Sequence, residues 1–175
     1  MLDCLVGSEM CIRDRIFNLR NIFVVLIYLI FKNNKDGTYR TYEIKEESME
    51  PSLYEGDYVL ASKFTDSPSR GDIVVYEYET KNIEIVKRII GLPGETISSK
   101  EGQININDEK INDPWGNGEV VDFENITIED NEVFVLGDNR EMSSSDSLSV
   151  GPIKLETCWK LRFLYWPYHK FKKYE

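Results

Sequence analysis

The stretch IEIVKRII, residues 83–90, decides the predicted fold. Side chains of a β-strand alternate between the two faces of a sheet, so one face of this strand carries Ile83, Ile85, Lys87 and Ile89. A run of β-branched residues with this alternation is typical of a strand that contacts a core on at least one face. The stretch therefore predicts a β-strand that places one lysine among isoleucines.

Similar runs rich in Val, Ile and Tyr recur along the chain, separated by Gly, Pro and Asp turn residues. They are residues 58–61, 73–78 and 132–136. The segment 102–113 predicts a hairpin that turns at Asn107 and Asp108. No part of the body has a sustained helical period, so residues 41–175 are predicted to form one all-β domain, with a β-rich insert near 98–131.

The charge of the body limits its partners. The chain of 175 residues has a formal net charge of -10, and residues 41–175 carry 27 acidic against 15 basic side chains. Binding to nucleic acid rests on basic surface, so nucleic acid is not expected as a partner. The three cysteines lack the spacing of a disulfide framework or a metal site, and Cys158 is interpreted as a small buried hydrophobic residue.

An apolar run, IFVVLIYLIF at 22–31, lies near the N-terminus and extends back to Ile16 with three polar interruptions. It is short for a membrane-spanning helix, which needs about 20 apolar residues. A buried core helix, a cleavable signal peptide and an uncleaved anchor are the competing interpretations. The polar sequence that follows has no small-x-small cleavage pattern, which favours a single-pass anchor over 16–32.

Arginines at positions 13, 15 and 20 precede the apolar run 22–31. The positive-inside rule then places the N-terminus in the cytoplasm and the body on the extracytoplasmic side of the plasma membrane, although basic residues also follow the span. Residues 1–15 are neither periodic nor apolar enough to belong to the anchor and resemble translated adapter sequence. They are predicted to be a non-native or unstructured leader.

The candidates for chemistry are few. The one histidine of the chain, His169, lies in a basic C-terminal tail, where a solvated side chain is expected. We therefore expect neither a Ser-His-Asp triad nor a multi-histidine metal site. The sequence also lacks the GxxxxGK(S/T) pattern of a phosphate-binding loop. A serine nucleophile would need a lysine or a carboxylate as its base. Ser48, in EESMEPSLYEGD at 46–57, is by its local sequence either a turn residue or such a nucleophile.

Lys87 has two interpretations as well. Burial disfavours the ammonium form and lowers the pKa of a lysine, which makes a neutral amine available as a general base. Alternatively, the side chain extends from an edge strand to solvent. Alternation alone leaves the two interpretations open.

Four stretches together resemble the type I signal peptidase family, the membrane-bound serine peptidases that remove signal peptides from exported proteins. They are SMEPSL (48–53), RGDIVVY (70–76), VKRIIGLPGE (86–95) and VLGDNREMSSSDS (135–147), in family order. The resemblance implies mainly antiparallel, coiled or barrel-like sheets behind an N-terminal anchor helix.

The same resemblance implies that Ser48 is the nucleophile and Lys87 the general base of a serine endopeptidase, without metal or cofactor. It implies exported preproteins as substrates, bound as an extended peptide beside strands near Ser48, with shallow pockets for small residues before the cut. The lipid bilayer is the other expected partner. The C-terminal segment has two interpretations: a last strand with Trp159, Leu161, Phe163 and Tyr165 at alternate positions, or a contact with the bilayer surface through Trp166, Tyr168, Phe171 and the tail lysines.

The chain departs from the family pattern in its details. Glu46 stands two residues before Ser48, where many relatives have a small or hydroxyl residue that helps the oxyanion hole. An ionised carboxylate cannot donate a hydrogen bond, so backbone N–H groups, including that of Ser48, are expected to form the hole.

The closing stretch contains one extra residue. Ser143 matches the family serine by its distance from Gly137, whereas Ser145 matches by its distance from Asp146, and Leu148 replaces the expected arginine. Ser143, Ser145 and Asp146 are therefore candidate supporting residues, and which serine orients Lys87 stays open.

There are two alternatives, one within enzymes and one from a different class. A LexA-like self-cleaving protein shares the Ser/Lys chemistry, but would carry a DNA-binding module where residues 1–40 have an apolar span. A catalytically impaired, membrane-tethered peptide-binding protein is the second, given Glu46 and the altered closing stretch.

Overall fold

The computed structural model describes residues 37–78 and 83–174. The described residues from Arg40 onward form one compact unit. The predicted leader (1–15) and the predicted anchor helix (16–32) lie outside the described residues. Within the described ranges no helix has the length and apolarity needed to cross a membrane.

The regular secondary structure of the described chain is almost entirely β-strand. The strands are β1 (Tyr39–Glu43), β2 (Tyr58–Ser62), β3 (Ile73–Tyr78), β4 (Ile83–Gly91), β5 (Thr96–Lys100), β6 (Gln103–Ile106), β7 (Glu109–Lys110), β8 (Phe123–Thr127), β9 (Glu132–Leu136), β10 (Ile153–Lys154), β11 (Trp159–Trp166) and β12 (Lys172–Lys173). One α-helix, α1 (Ser147–Val150), and three 3-10 turns, at Glu47–Met49, Leu155–Thr157 and Tyr168–Lys170, complete it.

The strands form two sheets. The main sheet has eight strands in the order β1-β2-β11-β3-β4-β9-β10, with β12 beside β11, and the small sheet has four in the order β7-β6-β5-β8. The pairings among β2 to β12 are antiparallel. The prediction of a mainly antiparallel β body is confirmed, and so are the four predicted strands, with ends that differ by at most one residue.

β4 is an interior strand of the main sheet, since it pairs with β3 on one side and, from Arg88 onward, with β9 on the other. Its alternation is as predicted, with one exception. Ile85 and Ile89 are buried, but Ile83 is 39% exposed at the start of the strand. Lys87 therefore lies among two buried isoleucines and the buried Val74 opposite it on β3, rather than among three isoleucines.

The predicted hairpin at Asn107 and Asp108 is also confirmed. Both residues have positive φ angles, 51° and 66°, and Ile106 pairs with Glu109 across the turn. Asn and Asp tolerate this left-handed conformation better than most residues, and two successive residues of this kind match the right-handed twist of the flanking strands. The small sheet packs against the ends of β4 and β9 through a shared core that includes Ile90, Ile97 and Phe134.

The last long strand, β11, is where the predicted pattern of faces is wrong. Strict alternation predicts Trp159, Leu161, Phe163 and Tyr165 on one face, but the pairing of β11 with β2 shifts between Leu161 and Phe163. Such a bulge moves the following side chains to the opposite face. Leu164, rather than Phe163, consequently joins Trp159 and Leu161 in the core.

Candidate active site

Ser48 lies on a short turn between β1 and β2. The backbone N–H of Glu50 donates to the carbonyl of Glu47 over 3.1 Å, which closes the 3-10 turn. Met49 is 1% exposed and anchors the turn in the core, while Ser48 itself is 5% exposed. We call this element, Glu47–Met49, the nucleophile turn.

The fold brings Ser48 and Lys87 together across 39 residues of sequence. The Lys87 Nζ lies 2.6 Å from the Ser48 Oγ, within hydrogen-bonding distance. Lys87 is 1% exposed, so its side chain does not extend to solvent. This is the geometry in which an amine can accept the proton of a serine hydroxyl.

Burial and the neighbouring carboxylates shift the pKa of Lys87 in opposite directions. Burial of the amine lowers its pKa, because the charged form loses its hydration. The carboxylates of Asp146, Glu46 and Asp138 raise the pKa, in decreasing order of effect. Burial is the larger influence, and the pKa of Lys87 lies below its ordinary value of 10.5.

A buried ion pair joins Arg88, the residue after Lys87 on β4, to Asp138. It was not predicted from the sequence. The Arg88 guanidinium donates to both carboxylate oxygens of Asp138, over 2.7 and 2.6 Å. It also donates to the carbonyl of Gly71 over 2.7 Å and to the hydroxyl of Ser52 over 3.0 Å. One signal for it was available, since a charge on a face that also carries buried isoleucine requires a counter-charge.

The closing loop, residues 137–146, contacts the nucleophile turn directly. The backbone N–H of Asn139 donates to the carbonyl of Ser48 over 3.1 Å. A side chain at Gly137 would overlap both that carbonyl and Ser143. The loop and the turn are therefore packed backbone to backbone, which explains why a glycine occupies position 137.

The two candidate serines of the closing loop make different contacts. The Ser143 hydroxyl donates to the buried Asp146 carboxylate over 2.6 Å, whereas Ser145 accepts a hydrogen bond from the Tyr76 hydroxyl, also at 2.6 Å, through its backbone carbonyl. Asp146 additionally accepts the backbone N–H of Leu148 over 3.1 Å. Leu148 thus contacts Asp146 through its backbone, although it lacks the expected arginine side chain.

A groove of about 460 Å³ leads to Ser48. One wall is the segment 41–46, including Ile44 and the exposed Glu46, and the other is the first half of β4, residues 83–86. β9 pairs with β4 only from Arg88 onward. Among the described residues, β1 also stands at the end of the sheet order. Within the described residues, the groove therefore lies beside an end strand, β1, and beside a part of β4 that does not pair with β9.

The remaining candidates lie away from this groove. Cys158 is buried, and burial raises the pKa of its thiol to about 11, as expected for a hydrophobic structural cysteine. His169 is exposed on the turn Tyr168–Lys170. Within residues 37–78 and 83–174, no three acidic, histidine or cysteine side chains cluster as metal ligands would.

Comparison with known proteins gives consistent matches. Residues 17–166 match the family described as signal peptidase, peptidase S26. A signal peptidase I of Bacillus licheniformis is 30% identical, with 87% of this chain and 88% of that protein covered. One from Bacillus amyloliquefaciens is 32% identical, with 87% of each chain covered.

Two further matches come from other genera. A signal peptidase IB of Staphylococcus aureus (strain Mu50 / ATCC 700699) is 32% identical over 75% of this chain and 80% of its own length. A crystal structure of a signal peptidase I from Enterococcus faecalis V583 aligns with a TM-score of 0.47 and 28% identity, covering 53% of this chain and 94% of the other.

Proposed function

This chain belongs to the signal peptidase family, peptidase S26, and from that premise we propose that it cleaves N-terminal signal peptides from exported preproteins with Ser48 as nucleophile and Lys87 as general base. The predicted family membership is thereby confirmed, and the chain is a peptidase. The observation that carries the assignment of residues is the 2.6 Å contact between the Lys87 amine and the Ser48 hydroxyl, both buried, with Ser48 among the residues that line the groove.

The proposed reaction needs only these side chains and water. Lys87, as a neutral amine, takes the proton of Ser48 while the hydroxyl oxygen attacks the peptide carbonyl. The resulting ammonium returns the proton to the leaving amine, and the signal peptide remains as an ester on Ser48. Lys87 then deprotonates a water molecule, which hydrolyses the ester and restores the hydroxyl. Burial of Lys87 supports this sequence, because it increases the fraction of neutral amine at a given pH.

The developing oxyanion requires hydrogen-bond donors, and Glu46 cannot be one when ionised. We assign this function to backbone N–H groups, including that of Ser48. The close packing of the Ser48 carbonyl against Asn139 and Gly137 supports the assignment, because it fixes the backbone of the nucleophile turn before substrate binds.

Of the two serines in the closing loop, Ser143 is the better candidate for a supporting function. Its hydroxyl bonds the carboxylate of Asp146, and that carboxylate acts electrostatically on Lys87 more strongly than any other. Ser145 uses its backbone carbonyl for its contact with Tyr76, which anchors the loop on β3.

The groove supports binding of an extended peptide. A peptide strand that lies between residues 41–46 and 83–86 would complete the backbone hydrogen bonding of both edges, as in other cases of strand addition. Ile44, Met49 and Val86 would provide a shallow apolar surface for small side chains before the cut.

The membrane assignment follows from the sequence. We propose a single-pass anchor over 16–32, with the N-terminus cytoplasmic and the peptidase domain extracytoplasmic at the plasma membrane. The family match begins at residue 17, inside this span. The exposed Trp166, Tyr168 and Phe171, 47%, 66% and 53% exposed, are of the type that rests at a membrane interface.

The test is cleavage of a preprotein by the full chain in detergent. Ser48→Ala and Lys87→Ala should each abolish cleavage, because one removes the nucleophile and the other the base. Ser98→Ala and Lys100→Ala, a serine and a lysine of β5 in the small sheet, are matched controls that should retain it. Cleavage retained in either Ser48→Ala or Lys87→Ala refutes the assignment.

A second measurement separates an enzyme from a peptide-binding protein. An electrophilic probe that acylates activated serines should label the wild-type chain at Ser48 and leave the Lys87→Ala variant unlabelled. Binding of a signal peptide without labelling at Ser48 would favour the impaired binding protein.

A further inference from the structure

The segment 113–118 lies between β7 and β8 of the small sheet and contacts the closing loop. We call it the insert loop. The backbone N–H of Asn117 donates to the carbonyl of Asp138 over 2.7 Å, and the N–H of Arg140 donates to the carbonyl of Asn117 over 2.9 Å. Asn117 and Asn139 form a parallel bridge between these two bonds. The insert loop therefore supports the closing loop as a neighbouring strand would.

Side chains reinforce this backbone contact. The Arg140 Nε donates to the carbonyl of Gly137 over 2.9 Å, and another nitrogen of the same guanidinium forms an ion pair with the Asp113 carboxylate. The side chains of Arg140 and Asp113 are 4% and 14% exposed. Asp113 thus balances a buried cation whose other contact holds the closing loop in its bent shape.

The opposite side of the closing loop touches the nucleophile turn. The N–H of Asn139 donates to the carbonyl of Ser48 over 3.1 Å, and its side-chain amide donates to the carbonyl of Glu47 over 3.3 Å. A continuous series of contacts therefore connects Asp113 to Ser48 through Arg140 and Asn139.

The insert loop also packs against the residue next to Lys87. The Arg88 guanidinium lies 5.2 Å from the centre of the Trp115 ring, and a side chain at Gly71 would overlap that ring. The N–H groups of Trp115 and Gly116 point at the Asp113 carboxylate, over 3.4 and 3.3 Å. Asp113 consequently fixes its own loop as well as Arg140.

We propose that Asp113 is a positioning residue for the reaction assigned above, on which this inference rests: it holds Arg140, and through the closing loop it fixes the Ser48 hydroxyl at the Lys87 amine. Loss of the carboxylate would leave the Arg140 cation buried without its partner, and the loop would rearrange to rehydrate it. A displacement of about 1 Å in a reacting group can reduce the rate roughly a hundredfold.

The test uses Asp113→Asn in the full chain. The amide can still accept the N–H groups of Trp115 and Gly116, but it removes the charge facing Arg140. We expect kcat to fall by about tenfold to a hundredfold. KM should change little, because the groove walls at 41–46 and 83–86 are separate from the insert loop. Asp122→Asn, at an exposed acid of the small sheet that accepts the Gly102 N–H, is the matched control and should leave both constants unchanged.

Three further measurements make the outcome decisive. Activity is read at a temperature where urea titration shows each variant to be folded, so a loss of stability alone cannot lower kcat. Arg140→Lys probes the same ion pair from its other partner and should give the same selective loss of kcat, including in the case that Asp113→Asn does not fold. The double variant should be no slower than the slower single variant, because both changes remove one interaction.

Unchanged kcat in folded Asp113→Asn and Arg140→Lys, a change in KM alone, or additive losses in the double variant would each overturn the inference. Its failure is distinguishable from failure of the proposed function through Ser48→Ala. If Ser48→Ala is inactive and Asp113→Asn is fully active, only the positioning inference is wrong.

Discussion

Replacing Arg88 with methionine removes the cation from the buried ion pair that joins β4 to the closing loop. The side chains of Arg88 and Asp138 are 5% and 1% exposed, and the two hydrogen bonds between them measure 2.7 and 2.6 Å. Methionine has a similar length and no charge. The variant therefore leaves the Asp138 carboxylate buried without its partner.

The expected cost follows from this burial. Removing one partner of a buried ion pair typically destabilises a protein by about 3–5 kcal/mol, because the remaining charge has lost both its counter-charge and its hydration. Since a domain is stable by only about 5–15 kcal/mol, Arg88→Met removes a large share of the free energy of unfolding. Asp138→Leu should cost a similar amount, because it leaves the Arg88 cation unpaired.

The double variant, Arg88→Met with Asp138→Leu, should be less damaging than the two single losses added together. It removes both charges, and the main loss left is that of the hydrogen bonds from Arg88 to Gly71 and Ser52. An unsatisfied buried acceptor costs about 1–3 kcal/mol. We therefore expect strong coupling between the two substitutions.

The assay is urea unfolding followed by tryptophan fluorescence, with the free energy of unfolding compared in a double-mutant cycle. Glu84→Gln is the matched control, since the Arg40–Glu84 pair is about half exposed on both sides at 3.9 Å. It should change stability by less than about 1 kcal/mol. Single losses as small as that of the control, or a double variant as damaged as the sum of the single variants, would refute the reasoning.

Three other predictions concern activity. Glu46→Gln removes a carboxylate that raises the pKa of Lys87, so the rising limb of kcat/KM against pH should move to lower pH. A shift to higher pH would contradict this effect of Glu46 on the pKa of Lys87. Ser143→Ala should lower kcat about tenfold, since a hydrogen bond to a charged group contributes roughly 1.5–3 kcal/mol. Ser145→Ala keeps its backbone contact with Tyr76 and should have a smaller effect. A larger loss of kcat in Ser145→Ala would refute this choice of serine. Trp166→Ala should lower cleavage of a vesicle-embedded preprotein about fivefold, because the variant loses apolar surface that would be partly buried in the bilayer. Cleavage of a soluble peptide should be unchanged. Equal losses on both substrates would argue against a membrane contact.

Local sequence was sufficient for the positions of the main strands and of the Asn107–Asp108 turn. Runs of β-branched residues and left-handed turn residues are properties of a few consecutive residues, and the structure confirms the strands β3, β4 and β9 and the turn where they predict them. Burial of Lys87 was one of two interpretations that alternation left open. The tertiary structure settles its burial, because β3 pairs with β4 at Lys87 and the nucleophile turn places the Ser48 hydroxyl against its amine.

The details of the candidate site depended on tertiary structure. The partner of Arg88 lies 50 residues away, and the partner of Arg140 lies 27 residues away, so neither follows from a local pattern. The extra residue in the closing loop left Ser143 and Ser145 equivalent by count, and only the path of the loop showed which hydroxyl meets Asp146. The bulge in β11 similarly reversed the expected faces beyond Leu161.

The sequence by itself thus determined the β class of the body, its principal strands and the residue types available for serine peptidase chemistry. The tertiary structure decided which charges are paired, which serine hydroxyl bonds the Asp146 carboxylate and that the Ser48 hydroxyl meets the Lys87 amine. The physical reason is that periodicity reports only the face on which a side chain lies. Contacts between distant segments depend on strand order, bulges and loop paths, which are set by the packing of the whole domain.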